Sequence, residues 1–245
     1  MTDFSYVGKE LDIFAHAKRW KSYWAAKIQP YLGSKVLEVG AGIGSNTEIL
    51  CSANQERWVC LEPDERLLQV LDKKLGRFPY RNSVETRAGT IRAVATTEQF
   101  DSVVYVDVLE HIENDQAELE LAAPLLSVGG ALVVLAPAHQ WLFSPFDRAI
   151  GHFRRYTRKT LAAIGPSGLV LERTFYLDSV GLLASSGNRL FLRQGMPTLQ
   201  QIEFWDRWLI PVSRKLDPCL AYVAGKTVVG IWRRYEDPAP RIDVK

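Results

Sequence analysis

The chain has 245 residues, 47% of them hydrophobic and 24% charged, as expected for one large globular domain with a full core. Its three cysteines, Cys51, Cys60 and Cys219, are odd in number and lack ligand spacing, which predicts reduced thiols of a cytoplasmic protein and excludes a disulfide frame or a zinc site. No apolar run reaches the roughly 20 residues of a membrane helix. Residues 1–10 mix charged with few apolar residues, so we expect no secretion signal.

The net charge of +2 is unevenly distributed along the chain. Residues 1–140 carry 14 basic and 19 acidic side chains, whereas residues 141–245 carry 16 basic and 9 acidic ones. A basic second part favours an anionic partner or substrate at that end. The alternative is that solvated surface charge has segregated without a function.

Residues 10–32 have apolar side chains at helical spacing, at Leu11, Phe14, Ala17, Trp20, Trp24 and Ile28. Pro30 and Gly33 end this segment. We therefore predict an N-terminal cap helix within residues 1–33, which packs ahead of the first strand. Packing is the default role of its aromatic side chains, and roofing a ligand is the alternative.

Residues 36–44 join a β-favouring segment to three glycines at alternate positions, Gly40, Gly42 and Gly44. A helix-favouring segment, residues 45–50, follows at once. A strand, a tight glycine turn and a helix N-terminus in this order let the backbone approach a nucleotide closely, because glycine has no Cβ and adopts positive φ. An acid, Glu38, stands two residues before the first glycine.

Residues 58–62 predict a second buried strand that ends in Glu62, 22 residues after Gly40. A helix follows through residue 75, with Asp64 as its N-cap. A carboxylate at the tip of this strand is placed to bind a ribose diol. The alternative is an ordinary exposed acid at a strand end.

Residues 100–112 contain a β-branched run that is apolar on both faces, as in a central parallel strand, and that ends in polar residues. We predict a helix over 114–126, ended by Gly129 and Gly130, and a fifth strand over 131–136. Strands that alternate with helices in this way favour a doubly wound, mostly parallel sheet.

Three motifs together resemble those of class I S-adenosylmethionine (SAM)-dependent methyltransferases. They are Glu38 with the G-x-G-x-G turn, Glu62 after the second strand, and the pattern F-D-x-V-x-x-x-x-V-L-E-H from Phe100 to His111. The resemblance covers residues 34–140 well and 141–176 in part. It implies an α/β fold with a seven-stranded sheet, and transfer of a methyl group from SAM to an O, N or C nucleophile of a small molecule, either anionic or lipid-linked.

On this resemblance the chain is one domain in four parts. Residues 1–33 are the cap helix, 34–176 the core, 177–222 a helical insert on the substrate side, and 223–235 the final strand. Residues 84–88 give the third strand and 168–176 the sixth. The last strand, over 225–232, pairs antiparallel beside the sixth, and residues 238–245 form a frayed tail.

The resemblance also implies the residues that bind the cofactor. The glycine turn holds the amino acid part of SAM with Glu38 oriented towards its ammonium group, Glu62 holds the ribose, residues 89–91 contact the adenine, and residues 107–108 form the far wall. The predicted set is Glu38, Gly40, Ala41, Gly42, Gly44, Glu62, Pro63, Gly89, Thr90, Ile91, Asp107 and Val108. Thr90 replaces the acid that is typical of this position.

An acceptor of high pKa needs a general base, and histidine is the natural choice. His111 lies at the mouth of the fourth strand and His152 in a basic loop, so both are catalytic candidates; a structural hydrogen-bonding role is the alternative for each. Asp107, Glu110 and His111 are similar to an acid-x-x-Glu-His metal site of some quinone O-methyltransferases. Because the first acid is of a different type, we expect no metal.

The basic loop also contains Arg154, Arg155 and Tyr156, and Thr157 is predicted to cap the helix after it. Guanidinium groups bind phosphate or carboxylate in a forked geometry, so we predict that these three residues bind the substrate. The alternative is that they form ion pairs within the protein.

The insert combines aromatic with basic residues, among them Trp205, Trp208, Arg189, Arg193 and Arg207. It admits three interpretations: a lid or packed cap, which we favour, a dimer surface, or a helix on a membrane surface. A homodimer therefore stays open.

Two other functions share parts of the pattern. A nicotinamide-dependent oxidoreductase would need G-x-G-x-x-G, whereas the third glycine here comes one residue early. A non-catalytic SAM-binding protein would keep the glycine turn without an acceptor pocket. Nucleic-acid modification is disfavoured, because the chain has no Asn-Pro-Pro-Tyr-like motif.

Overall fold

Seven strands form one sheet in this computed structural model, which describes residues 10–187 and 198–236. They are β1 (Lys35–Val39), β2 (Arg57–Glu62), β3 (Val84–Ala88), β4 (Phe100–Val106), β5 (Leu126–Pro137), β6 (Leu169–Leu177) and β7 (Thr227–Arg234). Their order is β3-β2-β1-β4-β5-β7-β6. The pairs among β1 to β5 are parallel, whereas β7 is antiparallel to both β5 and β6. The predicted fold class is thus confirmed.

Helices cover the two faces of this sheet. They are α1 (Glu10–Phe14), α2 (Lys18–Ile28), α3 (Thr47–Leu50), α4 (Glu65–Leu75), α5 (Asp115–Ala122), α6 (Pro145–Ala149), α7 (Arg158–Ala163), α8 (Ser179–Gly187), α9 (Leu199–Phe204) and α10 (Ile210–Cys219). A π-helical turn, Trp205–Leu209, joins α9 to α10. The predicted N-caps Asp64 and Thr157 each accept a backbone hydrogen bond in the first turn of their helix.

The core has one layer on each side of the sheet, because successive strand residues point to opposite faces. Val36 of β1 belongs to the layer under α2, α4 and the insert, and Leu37 to the layer under α5 and α7. The described core residues of β4 and β5 contribute to both layers, as predicted for central strands. The carboxyl ends of β1, β2 and β4 therefore meet at one edge, where the candidate site lies.

The N-terminal cap is two helices and not the single predicted one. The chain turns at residues 15–17 between α1 and α2. The backbone N–H groups of Arg19 and Trp20, at the start of α2, donate to the carboxylate of Asp206 at 3.1 Å and 2.7 Å. The new helix start is thus capped by a residue of the insert, which local spacing could not reveal.

The prediction that Gly129 and Gly130 end a helix is wrong, because both lie within β5. The register between β4 and β5 shifts here, so that Leu126 and Ala131 pair with residues 100 and 102. Gly129 has a φ of +81°, and a Cβ on Gly130 would lie 2.8 Å from the carbonyl oxygen of Ser127. The pair therefore forms an irregular stretch of strand that only glycine fits.

The insert packs on α2 through its aromatic and acidic side chains. The ring of Trp205 lies 5.6 Å from that of Trp20 and 6.4 Å from that of Phe14. Buried Asp217 accepts hydrogen bonds from the Tyr23 hydroxyl and from two backbone N–H groups at the start of α8. Residues 188–197, with Arg189 and Arg193, and the predicted frayed tail lie outside the described residues.

None of the helices in the described ranges combines the length and the apolar character that crossing a membrane requires.

We expect Asp217→Ala to lower the free energy of unfolding by at least about 2 kcal/mol, because several buried donors lose their acceptor. Urea denaturation at constant m-value measures this change. Lys215→Ala, on the exposed side of the same helix, serves as the control and should change stability by less than about 0.5 kcal/mol. Equal effects of the two substitutions would contradict the locking role of Asp217.

Candidate active site

The glycine turn after β1 has a backbone that only glycine adopts readily. Gly40, Gly42 and Gly44 have φ values of +69°, +56° and +73°. A Cβ on Gly40 would lie 2.6 Å from Cγ2 of Val108, so this turn and the end of β4 approach each other closely. The backbone amides of Gly40 and Ala41 donate to the Leu61 carbonyl oxygen, which ties the turn to β2.

Glu62 fixes the other side of this turn. Its carboxylate is buried and accepts a hydrogen bond from the Gly42 amide at 2.8 Å. It also accepts one from the Asp64 amide at 2.9 Å, across Pro63. Burial raises the pKa of Glu62, and these two hydrogen bonds oppose that shift. A carboxylate accepts about four hydrogen bonds, so capacity remains for a diol.

Glu38 lies buried beneath the turn. One of its carboxylate oxygens, Oε2, accepts from the Thr47 hydroxyl at 2.7 Å and from the Trp58 indole at 2.8 Å. No donor within the described part of the chain reaches the other oxygen, Oε1, although it is buried. Burial raises the pKa of Glu38. A buried acceptor of this kind calls for a donor from a ligand, such as an ammonium group or a bridging water.

Lys21 of α2 belongs to the same site, and the sequence analysis missed it. Its buried ammonium donates to Oδ1 of Asn46 in the glycine turn at 2.9 Å. Burial lowers the pKa of Lys21 to about 8, while the nearby charges of Asp107 and Glu38 oppose the shift. The burial of Lys21 could have been predicted from the sequence, because it falls between Ala17 and Trp24 on the buried stripe of its helix.

The predicted adenine and far-wall residues surround the same cleft. The Gly89 amide donates to the Glu62 carbonyl oxygen at 3.0 Å, Thr90 precedes a short 3-10 turn, and Ile91 is buried. Asp107 has a φ of +54° and remains accessible to solvent at the bottom of the cleft. The protein atoms that crowd it raise its pKa to about 6, against the opposing charge of His152.

The two predicted catalytic histidines, His111 and His152, lie next to each other. The rings of His111 and His152 are perpendicular, with centroids 4.5 Å apart. Burial lowers the pKa of His111 to about 3, so its imidazole is neutral near pH 7. His152 Nδ1 lies 3.1 Å from Asp147 Oδ1, and its Nε2 lies 3.8 Å from Glu110 Oε1. Sequence analysis therefore identified two residues that the fold brings together.

Asp147, which the sequence analysis did not single out, orients His152. It is fully buried and accepts a forked pair of hydrogen bonds from Arg155, Nε to Oδ1 at 2.8 Å and Nη2 to Oδ2 at 3.0 Å. Burial alone would raise the pKa of Asp147, but hydrogen bonds from His152 and Ser144 and the charge of Arg155 hold it well below its usual range. An ionised carboxylate only accepts, so Nδ1 of His152 carries the proton and Nε2 is the basic nitrogen.

Glu110 is buried behind the two histidines. Among the described residues, none donates a hydrogen bond to either of its carboxylate oxygens. Burial and the charge of Asp107 raise its pKa well above the usual range. One potential metal-ligating atom from each of Glu110, His111 and His152 lies within 4.8 Å of the other two, so the three residues could hold a metal ion. Asp107, the first acid of the motif, is not part of this set.

The residues predicted to bind the substrate are held by protein groups. Arg154 pairs with Asp115 at 2.7 Å, and the hydroxyl of Tyr156 donates to the same carboxylate at 2.8 Å. Tyr156 is 2% exposed, so its side chain lies within the protein and not on the surface of the loop. The fork of Arg155 faces Asp147. These three side chains therefore hold the loop in place through contacts with buried acids of the protein.

Comparisons with known proteins agree with this geometry. Residues 37–132 match the family described as a methyltransferase domain. This is the domain of class I SAM-dependent methyltransferases. The predicted family is thereby confirmed, and SAM is the cofactor of that family.

Two curated relatives and one solved structure show how far the similarity extends. The chain is 27% identical over 152 residues to the demethylmenaquinone methyltransferase of Tropheryma whipplei, which covers 62% of this chain and 61% of that protein. It is 25% identical over 114 residues to the mitochondrial ubiquinone biosynthesis O-methyltransferase of Dictyostelium discoideum, which covers 43% and 36%. The fold resembles that of the N-methyltransferase NodS from Bradyrhizobium japonicum WM9 in complex with S-adenosylhomocysteine, with a TM-score of 0.55, 17% identity and coverage of 90% and 86%. The match therefore spans less than two thirds of either curated relative.

Asp147→Asn should lower the free energy of unfolding by about 2 kcal/mol at pH 7, because the charged acceptor of Arg155 and His152 is lost. The folded-state pKa of Asp147 lies below its unfolded value of about 3.9, so its contribution is complete above about pH 5 and fades as the pH falls below about 4. Urea denaturation at pH 7 and at about pH 3.5 should show a smaller difference from wild type at the lower pH. Asp12→Asn, at an exposed position, is the control; a difference that does not change with pH would contradict the ionised state of Asp147.

Proposed function

We propose that this protein transfers a methyl group from SAM to a nucleophilic atom of a small, lipid-linked acceptor. The observation that carries the proposal is the cleft at the carboxyl ends of β1, β2 and β4. There the glycine turn has the left-handed conformation, Oε1 of Glu38 meets no donor among the described residues, and the ammonium of Lys21 binds Asn46 just after the turn. A location in the cytoplasm and a homodimer remain predictions.

The residues of the cleft fit the amino acid and ribose parts of SAM. Oε1 of Glu38 is the acceptor for an ammonium group, directly or through water. The ammonium of Lys21 suits a carboxylate. The remaining acceptor capacity of Glu62 suits a ribose diol. Gly89, Thr90 and Ile91 follow β3 beside Glu62, where an adenine would extend from the ribose.

Bound SAM supplies a methyl group that its sulfonium makes electrophilic. The chain then has to align the acceptor atom behind that methyl group and remove its proton where the acceptor is an alcohol or a phenol. His152 is placed for this role, because Asp147 fixes the proton on Nδ1 and leaves Nε2 basic. We propose for Arg155 a positioning role through Asp147, in place of the predicted contact with the substrate.

The acceptor class is supported by two independent considerations. Both curated relatives are methyltransferases whose names concern quinones, and a quinol ring presents phenolic oxygen and ring carbon as nucleophiles. The second consideration is His152, a histidine whose orientation is fixed by Asp147 and which can take the proton of a phenolic oxygen. A hydroquinone with a prenyl tail is therefore the first acceptor to test.

Glu62→Gln should weaken the binding of S-adenosylhomocysteine by about 10- to 100-fold, because a charged acceptor is replaced by an amide. Isothermal titration calorimetry measures the dissociation constants. Glu65→Gln, an exposed acid on α4, is the matched control and should bind as wild type does. If the protein bound NAD and not S-adenosylhomocysteine, the methyltransferase proposal would fail in favour of the oxidoreductase.

Incubation with methyl-labelled SAM and a panel of prenylated and short-chain hydroquinones tests the reaction. We expect His152→Gln to lower kcat by about 10²- to 10⁴-fold for a phenolic acceptor and to leave the affinity for S-adenosylhomocysteine unchanged, because the base acts only on the acceptor. His16→Gln, an exposed histidine on the N-terminal segment, should retain full activity.

Two outcomes of this assay would change the proposal. Tight binding of S-adenosylhomocysteine without turnover of any acceptor would favour the non-catalytic SAM-binding protein. We expect activity to survive treatment with EDTA, because the electrophilic methyl group needs no metal. Activity that is lost to EDTA and restored by a divalent cation would instead assign a metal to Glu110, His111 and His152.

A further inference from the structure

The insert exposes an unusual share of the apolar surface. Fifteen large hydrophobic side chains are exposed in the described ranges, and eight of them lie between residues 183 and 223. Soluble proteins scatter such residues singly, whereas their concentration on one element marks a surface that contacts an apolar partner. This segment is therefore the place to look for a binding surface outside the active site.

Four of these side chains lie on one helical face. Phe204, Trp208, Val212 and Leu216 recur every four residues from the end of α9 through the π-turn and α10, with exposed fractions of 58%, 57%, 51% and 37%. These four residues form the outer face of the segment. It is not needed for folding, because the opposite side of the same helical segment already packs on α2 through Trp205 and on α8 through Asp217.

The exposed charged side chains of the helical segment 198–219 are mostly basic. Arg207, Arg214 and Lys215 are exposed on α10 and the π-turn, against a single exposed acid, Glu203, on α9. The two other acids of the segment, Asp206 and Asp217, are buried and accept internal hydrogen bonds. The guanidinium of Arg207 also lies 5.3 Å from the ring of Trp208. Exposed aromatic and aliphatic side chains flanked by cations match an anionic lipid surface.

A second copy of the chain fits this surface less well. A two-fold dimer places the same patch on both sides of the interface, so the three basic residues would face an identical set. Within the described residues 198–219, Glu203 is the one exposed acid that could compensate them. Anionic headgroups would neutralise all three, and the acyl region would receive Phe204 and Trp208.

We propose that the outer face docks this protein on an anionic membrane surface, with Phe204 and Trp208 in the headgroup region and Arg207, Arg214 and Lys215 on the phosphates. The docking would hold the acceptor end of the cleft close to the bilayer. Trp205, on the inner side of the same segment, lies 5.0 Å from the ammonium of Lys226, the residue that precedes β7. The surface exists whether or not the acceptor is a lipid, so this inference goes beyond the proposed function.

Sedimentation with large unilamellar vesicles tests the docking. The whole protein should pellet with vesicles of phosphatidylcholine that contain about one third phosphatidylglycerol, and should stay in solution with phosphatidylcholine alone. Raising the salt concentration from about 0.05 M to about 0.5 M should lower the partition coefficient, because the attraction is screened. Recovery of the wild-type protein in the supernatant with anionic vesicles at low salt would overturn the proposal.

Two variants separate the apolar from the basic contribution. Phe204→Ser with Trp208→Ser, and separately Arg207→Gln with Arg214→Gln and Lys215→Gln, should each lower the partition coefficient at least about tenfold. Val70→Ser with Val128→Ser controls for exposed apolar residues, and Lys73→Gln with Arg77→Gln and Lys159→Gln controls for charge. Control variants that lose binding as much as the outer-face variants would show that the attraction has no specific site and would overturn the proposal.

Two further measurements distinguish lipid docking from dimer formation and from the binding of the cofactor. Light scattering that shows a dimer, dissociated by Phe204→Ser with Trp208→Ser, would assign the outer face to a second copy and not to lipid. Both outer-face variants should bind S-adenosylhomocysteine as wild type does, since the outer face lies outside the cofactor cleft. A protein that binds S-adenosylhomocysteine but no vesicles would refute only the docking, whereas one that binds vesicles but no S-adenosylhomocysteine would refute only the proposed function.

Discussion

The cap over the cofactor cleft depends on two hydrogen bonds, from the backbone N–H groups of Arg19 and Trp20 to the carboxylate of Asp206. A helix start leaves such N–H groups without partners, and an anion there also interacts favourably with the helix dipole. Asp206 lies 186 residues beyond Trp20, so this contact joins the two ends of the chain. It fixes the first turn of α2 and with it Lys21, whose ammonium then reaches the glycine turn. The N-terminal cap and the insert thus hold each other in place above the site.

Buried carboxylates also hold the glycine turn and the loop of His152 in place. Glu62 holds the glycine turn through the Gly42 amide, and Asp147 holds the loop of His152 through Arg155. Each carboxylate is buried and satisfied by several donors, which makes the arrangement costly to disturb. Catalysis by alignment requires this rigidity, because the acceptor has to approach the methyl group within a narrow range of positions. The loops that carry the chemistry are therefore pre-organised by charge buried inside the fold.

The sequence predicted those features that a few neighbouring residues determine. The first, second, fourth and fifth strands, the N-caps Asp64 and Thr157 and the glycine turn follow from local patterns, and the structure has them. The other three strands followed from the family resemblance. Features that depend on distant partners were missed. Asp147 stands five residues before His152, yet a sequence does not state which carboxylate a guanidinium will meet, so Arg155 was assigned to a substrate. Lys21 was not singled out, because its partner Asn46 lies 25 residues away.

The insert is the element in which fold and acceptor chemistry are joined. Its inner side, with Trp205 and Asp206, packs on α2, while the side chains of its outer face are exposed in the described fold. The class I sheet and its cofactor turn serve many acceptors, so the residues that distinguish this protein have to lie on the elements added to that core. A helical segment with one side fixed to the cofactor roof and the other suited to lipid would deliver an apolar acceptor to His152 without crossing open water.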